Sequence, residues 1–212
     1  MTKRCDWSEH SLARLRERVA TEMSAYRFAH TCGVEQMAAR LAALYCPEQA
    51  LLLRAAALLH DVTKEYGDGQ QLALMEQEGI VLRPDERASN KIWHGITAPI
   101  VIGREYPEFA ALELLAAVRW HTTGREGMTL LEALLYLADY IEQGRTFPDC
   151  VLLRERFFGA NPERMGAEER LAHLRDVLLL SFEITLRDLE GEGRSVCLDT
   201  KAAYEYLKTR GL

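Results

Sequence analysis

Apolar side chains recur along this chain at intervals of three and four residues, and strand-like alternation is nearly absent. Between Arg27 and Tyr45, the residues Val34, Met37, Ala38, Leu41, Leu44 and Tyr45 fall at helical spacing, with Glu35, Gln36 and Arg40 on the other side. Cys46-Pro47 breaks the pattern and starts a second helix, because proline is tolerated in a first helical turn. That helix carries Leu51, Leu52, Ala55, Leu58 and Leu59 into the segment LLHDVTKEY. Gly67 and Gly69 precede a short helix from Gln70 to Gln77 and a turn from Gly79 to Pro84. Further helices are predicted from Trp93 to Tyr106, from Pro107 to Trp120 and from Leu130 to Gln143. Thr129 and Glu132 form a capping-box start for the last of these. Loops follow at Gly144 to Pro148 and at Gly159 to Gly166, the second around a short helical piece. A long amphipathic helix then runs from Ala167 to Leu189, and a final one from Asp199 to Lys208. No repeat or linker cuts the chain, so the pattern predicts one all-α domain over residues 1–212. Its core spans about 24–145, with a helical extension over about 146–212.

Composition narrows the class. At 48% hydrophobic and 27% charged, the chain can bury a core. Its longest uncharged apolar stretches, near Ala55 to Leu59 and Val177 to Leu180, are too short to span a bilayer, so no membrane partner is expected. The start, MTKRCDWSEH, lacks the apolar segment of a secretory signal. Five cysteines with no C-x-x-C pair suit a reducing cytoplasm and read as small core residues. A net charge of −6 argues against a nucleic-acid polymer as partner. It leaves small anionic ligands open, and a homodimer as well.

The histidines and aspartates carry the chemistry. His10 and His173 lie on helices dense with Arg and Glu and read as solvated surface residues. His60-Asp61 ends a strongly apolar helix, and Asp139 lies inside LLYLADYIEQ. An ionised aspartate in such surroundings needs a metal or a partner. Any one of these residues alone is more often structural: Asp139, for example, could pair with Arg119 or Arg145. Together, His30, His60-Asp61, His94, His121 and Asp139 distribute nitrogen and oxygen ligands over successive helices. That order resembles the HD superfamily of metal-dependent phosphohydrolases, implying an HD-domain helical bundle. His30, His60, Asp61 and Asp139 match its minimal signature, and His94 and His121 match the additional pair of the two-metal subgroup.

The segments YRFAHTCGVEQMAARLA, LLHDVTKEY, IWHG, RWHTTGREGMTLLEALLYLADYIEQGR and DTKAAYEYL are similar to the YqeK family over about Ser24 to Leu207. The resemblance implies a symmetrical diadenosine tetraphosphate hydrolase that binds iron. The chain departs from that family at Gln143, where proline is common, and at Cys197-Leu198, where His-Pro is frequent. If Asp61 bridges two divalent ions, His30, His60 and Asp139 complete one and His94 and His121 the other. Coordination positions then remain for water and phosphate. This ligand set suits iron, manganese or another transition metal. Lys64, four residues after His60 and on the same helix face, is expected to act beside Asp61 on the bound phosphate. Arg27 and Arg145 are expected to clamp outer phosphates, with Thr122 and the backbone of Gly124 as further donors. Gly67 to Lys91 is the candidate mobile cover, against an ordinary connection. The competing functions are HD hydrolysis of a nucleoside mono- or triphosphate, a di-iron oxygenase on the same scaffold, and a non-catalytic signalling module.

Overall fold

Eleven α-helices and no strand make up residues 7–212, the part of the chain described by a computed structural model. In order they are α1 (Glu9–Glu22), α2 (Ala25–Tyr45), α3 (Ala50–Leu59), α4 (Asp68–Gln77), α5 (Pro84–Arg87) and α6 (Trp93–Glu105). They continue as α7 (Leu112–Trp120), α8 (Leu130–Ile141), α9 (Pro148–Gly159), α10 (Ala167–Gly191) and α11 (Leu198–Arg210). Cys5 and the basic start of the chain lie outside the described residues. No helix among the described residues is long and apolar enough to cross a membrane.

The all-α expectation holds, and the central helices follow from their sequences. Nine of the twelve α8 residues are buried, so this helix runs through the core rather than over it. Its start is the expected capping box: Glu132 N–H donates to Thr129 Oγ1 at 3.3 Å, and Thr129 N–H donates to the Glu132 carboxylate at 3.0 Å. Helix α2 packs on α3 and α8, and α7 packs on α3, α6 and α8. Burying one leucine side chain is worth about 1.5–3 kcal/mol. Leu53, Leu58 and Leu59 of α3 and Leu134, Leu135 and Leu137 of α8 are fully buried, and so hold those helices in the core. Helix α10 lies against α9 and α11, and its Leu174, Val177 and Phe182 join the same core.

Several local expectations are corrected. Helix α3 stops at Leu59, and residues 60–66 turn tightly through i to i+3 hydrogen bonds such as Lys64 N–H to the Asp61 carbonyl at 2.9 Å. Lys64 therefore does not share a helix face with His60. The stretch from Pro107 to Trp120 divides into a 3-10 turn at Pro107–Phe109 and the helix α7. Helix α9 occupies a stretch whose periodicity is weak, although Pro148 in its first turn is a start signal. His173 is half-buried rather than solvated: its Nε2 lies 2.9 Å from the Phe157 carbonyl, and its ring packs on the Phe157 ring at 5.5 Å. Cys46, Cys150 and Cys197 are buried as expected, and Cys32 is half-buried.

The segment from Gly67 to Lys91 is an anchored connection. Met75, Leu82, Ile92, Trp93, Ile96 and Cys197 form a second apolar cluster beneath it. Trp93 Nε1 donates to the Glu86 carbonyl at 2.8 Å, and Arg119 pairs with the Glu86 carboxylate at 3.0 Å. Arg83 pairs with Asp199 at 2.5 Å, and Leu198 N–H donates to Asp85 at 2.8 Å, tying the segment to the start of α11. A cover has to release such contacts, and the two arginine pairs among them are partly buried and charge-assisted.

Gly124 joins the C-terminal helices to the rest. Its φ is +64°, and a Cβ there would stand 2.7 Å from Phe182 of α10 and 3.1 Å from Ala203 of α11. Its N–H is committed to the Trp120 carbonyl at 2.8 Å. Gly124 is therefore a structural corner and not a phosphate donor. The substitution Gly124→Ala combines left-handed backbone strain with overpacking, and a loss of about 2–4 kcal/mol in unfolding free energy is expected. Chemical denaturation checks this, and a change below about 0.5 kcal/mol would contradict the packing described.

Candidate metal centre

Two histidines are presented by the same local device. His60 and His121 each follow the last residue of an apolar helix, α3 and α7. Each ring turns back on its own helix: His60 Nδ1 lies 2.7 Å from the Ala57 carbonyl, and His121 Nδ1 lies 2.6 Å from the Val118 carbonyl. A carbonyl only accepts, so both Nδ1 atoms carry the proton and both Nε2 atoms present a lone pair. These lone pairs face Asp61, which is 4% exposed. His60 Nε2 is 3.4 Å from Asp61 Oδ2, and His121 Nε2 is 3.8 Å from Asp61 Oδ1. His94, on α6, places its Nε2 3.3 Å from Oδ1 and 3.0 Å from the His121 Nε2.

The other half of the cluster comes from α2 and α8. His30 Nε2 stands 3.0 Å from Asp139 Oδ1 and 3.7 Å from Asp61 Oδ2. Its Nδ1 meets the buried Glu142 carboxylate at 3.2 Å. Ser24 caps α2 and is itself held by Glu65, its N–H donating at 2.8 Å and its hydroxyl at 2.5 Å. The start of α2 is thereby tied to the turn that carries His60, Asp61 and Lys64. The six ligand candidates thus gather in one place, with two overlapping triads: His30, His60, Asp139, and His60, Asp61, His121.

Charge in the cluster is divided sharply. Burial, aided by His60, lowers the His121 imidazole to about 4, and burial drives His94 well below its ordinary value. Burial would raise Asp61, but His60, His94 and Lys64 outweigh it and hold the carboxyl well below the usual range. For Asp139, Arg145 and His30 do the same. Burial lowers His30 too, yet hydrogen bonds to Asp139 and Glu142 raise it to about 9. The ionised Asp61 carboxylate and the neutral His94 and His121 imidazoles, with converging lone pairs, repel one another unless a cation lies among them. The buried His60 Nε2 atom also has no hydrogen-bond partner among the described residues. The residues fit a divalent metal ion of borderline softness.

Cations and hydroxyls surround the cluster. Lys64 Nζ is 3.3 Å from both ring nitrogens of His94, and burial lowers its pKa. Thr122 Oγ1 lies 3.1 Å from His121 Nε2 and 3.2 Å from His94 Nε2. Arg27 pairs with Asp61 Oδ2 at 2.6 Å. Arg145 pairs with the Asp139 carboxylate and donates to its carbonyl at 2.5 Å, while Arg119 goes to Glu86 instead. All except Arg119 open onto a cavity of about 810 Å³ that also exposes His30, Asp61, His94, His121 and Asp139. Its size suits a nucleotide-sized ligand.

Glu142 has no role in the sequence reading, although it ends the A-D-Y-I-E segment. Its place depends on Gly33, one turn beyond His30 on α2, where a Cβ would collide with the Glu142 carboxylate. Gly144 N–H donates to that carboxylate at 2.5 Å. Support of this kind behind a ligating histidine is typically worth about 10–100-fold in metal affinity. The substitution Gly33→Ala should therefore weaken metal binding by about 10–100-fold in a chelator-competition titration. Metal-free stability should change by no more than about 1 kcal/mol, because alanine favours the helix. Unchanged affinity would remove Glu142 from the site.

Known proteins resemble this chain over most of its length. The sequence model of the family described as HD domain matches residues 27–144, a span that contains all six ligand candidates. The chain is 29% identical over 189 residues to a Bacillus subtilis protein named bis(5'-nucleosyl)-tetraphosphatase, symmetrical, covering 89% of this chain and 93% of that one. A Halalkalibacterium halodurans protein of the same name is also 29% identical, over 89% of this chain and 92% of its own. Among solved structures, a Clostridium acetobutylicum protein described as a predicted HD superfamily hydrolase involved in NAD metabolism superposes with a TM-score of 0.79. It is 29% identical and covers 96% of this chain and 98% of its own.

Proposed function

The chain belongs to the HD-domain family, and from that premise we propose that it is a two-metal phosphohydrolase cleaving diadenosine tetraphosphate symmetrically into two ADP. The observation that carries the proposal is the convergence of three histidine Nε2 atoms on the two oxygens of buried Asp61, beside cationic side chains in one cavity. The substrate comes from the B. subtilis and H. halodurans relatives, whose names specify symmetrical cleavage.

Asp61 divides the ligands in a way that favours two ions over one. Its Oδ2 faces His30 and His60, with Asp139 beyond, and its Oδ1 faces His94 and His121. Iron suits imidazole and carboxylate ligands without thiolate, and manganese is the alternative. Bound there, divalent ions would lower the pKa of a coordinated water and neutralise phosphate charge.

The chain's own residues orient the substrate and balance its charge. Arg27 and Arg145 each rest on a ligand carboxylate and can offer their remaining guanidinium donors to phosphate oxygens. Lys64, on the His94 side, can neutralise the oxygen that departs when an inner phosphoanhydride bond breaks. Thr122 can donate its hydroxyl to a phosphate oxygen beside it. Water adds its oxygen to one inner phosphorus and gives up its protons to solvent, the bridging P–O bond to the other inner phosphate breaks, and both halves are released as nucleoside diphosphate.

Metal-loaded protein given diadenosine tetraphosphate should yield ADP as its sole initial nucleotide product. In water enriched with heavy oxygen, one of the two ADP molecules per turnover should carry the label, on its terminal phosphate. Chromatography with mass spectrometry reads both results. AMP and ATP as first products would overturn the symmetrical reading and leave the metal centre standing.

A further inference from the structure

The cavity is lopsided. On the Oδ2 side of Asp61, Arg27 and Arg145 flank His30 through their pairs with Asp61 and Asp139. Each arginine has an aromatic neighbour in the sequence that lines the same cavity: Tyr26 precedes Arg27, and Phe147 follows Arg145 by two residues. Tyr26 is 78% exposed and Phe147 64% exposed. Neither packs into the core, and the nearest cation to the Tyr26 ring is the Arg27 guanidinium, 6.0 Å from its centroid. Tyr140, the other aromatic residue in the wall, is already engaged. Its hydroxyl bonds Thr185 at 2.9 Å, and its ring lies 5.7 Å from that of Tyr136. Beside His94 and His121, on the Oδ1 side, Trp93 and Trp120 do not line the cavity, whose described lining also includes Ser89, Lys91 and Ser195.

Phosphate chemistry gives no use for two exposed aromatic rings beside the two arginines. A flat, apolar group joined to those phosphates does. We propose that Tyr26 and Phe147 form a stacking platform for the nucleobase of the nucleotide whose phosphates Arg27 and Arg145 grip. This inference rests on the nucleotide reading above and adds where, and by what force, the base is held. Stacking on an aromatic face accepts any base and favours the larger purines, so the platform selects by area rather than by edge pattern. It also makes recognition one-sided. One nucleoside is held by stacking, while the other half of a dinucleotide is held by charge from Lys64 and Lys91.

Calorimetric titration of metal-loaded protein with ADP, UDP and pyrophosphate separates base from phosphate. In the Tyr26→Ala, Phe147→Ala double variant, the Kd for ADP should rise by about tenfold or more, from the usual value of one base–aromatic stack. The Kd for pyrophosphate should stay within about twofold, and metal content measured on the same samples should be unchanged. The wild-type preference for ADP over UDP should collapse, and the Tyr26→Phe and Phe147→Tyr variants should retain it. A parallel loss of pyrophosphate binding would make the aromatics structural, and ADP affinity within about twofold of wild type would remove the platform. Either result can coexist with two ADP per tetraphosphate in the wild type, which would discard the platform alone. Wild-type protein that binds ADP through these rings yet leaves diadenosine tetraphosphate intact would instead discard that substrate.

Discussion

A carboxylate with almost no solvent contact, surrounded by imidazole lone pairs, is the constraint to which the rest of this structure answers. Asp61 cannot be buried there as an isolated anion, since the cost of desolvating an unpaired charge is several kcal/mol. Arg27 donates to its Oδ2 at 2.6 Å, but His60 and His121 cannot, because they have spent their ring protons on carbonyls of their own helices. A shared cation would resolve the conflict, and much of the surrounding architecture holds these side chains in place. Apolar helices α3 and α7 end where they must for His60 and His121 to turn back. Glu65 locks the start of α2 to the Asp61 turn, and Glu142, admitted by Gly33, holds the far side of His30.

The C-terminal helices take part from a distance. Phe182 of α10 and Ala203 of α11 close on Gly124, three residues beyond His121, so the loop that carries that histidine is clamped from behind. Thr185 and Leu189 of α10 and Thr200 of α11 also line the cavity. The segment between α3 and α6 is pinned to the start of α11 through Arg83, Asp85 and Asp199, and to α7 through Glu86 and Arg119. Residues beyond the family match therefore shape the wall around the ligand candidates.

The helices and the ligand candidates were legible in the sequence because both leave local marks. A 3.6-residue apolar period predicts α2, α8 and α10. An aspartate placed among leucines, as in LLYLADYIEQ, announces a buried charge that needs a partner. What the sequence did not reveal depends on contacts between distant segments. Glu142 stands 112 positions from His30, and nothing near either residue marks the pairing. Gly124 looked like a phosphate donor because it follows His121. Its N–H is taken by Trp120, and the helices that crowd it lie about sixty to eighty positions on. The segment after Gly67 looked free because its glycines are local, whereas Arg83, Glu86 and Trp93, which anchor it, find their partners through the tertiary fold. His173 read as surface from the charged residues beside it, yet its ring lies against Phe157.

Anomalous diffraction from crystals of the iron-loaded protein decides whether Asp61 is the shared ligand of a cation site. Two anomalous peaks are expected in the cavity, each about 2.0–2.3 Å from its ligand atoms. One should lie near His30, His60 and Asp139 and the other near His94 and His121, with one Asp61 oxygen on each. Iron bound elsewhere, or a peak among the histidines that Asp61 does not touch, would contradict it.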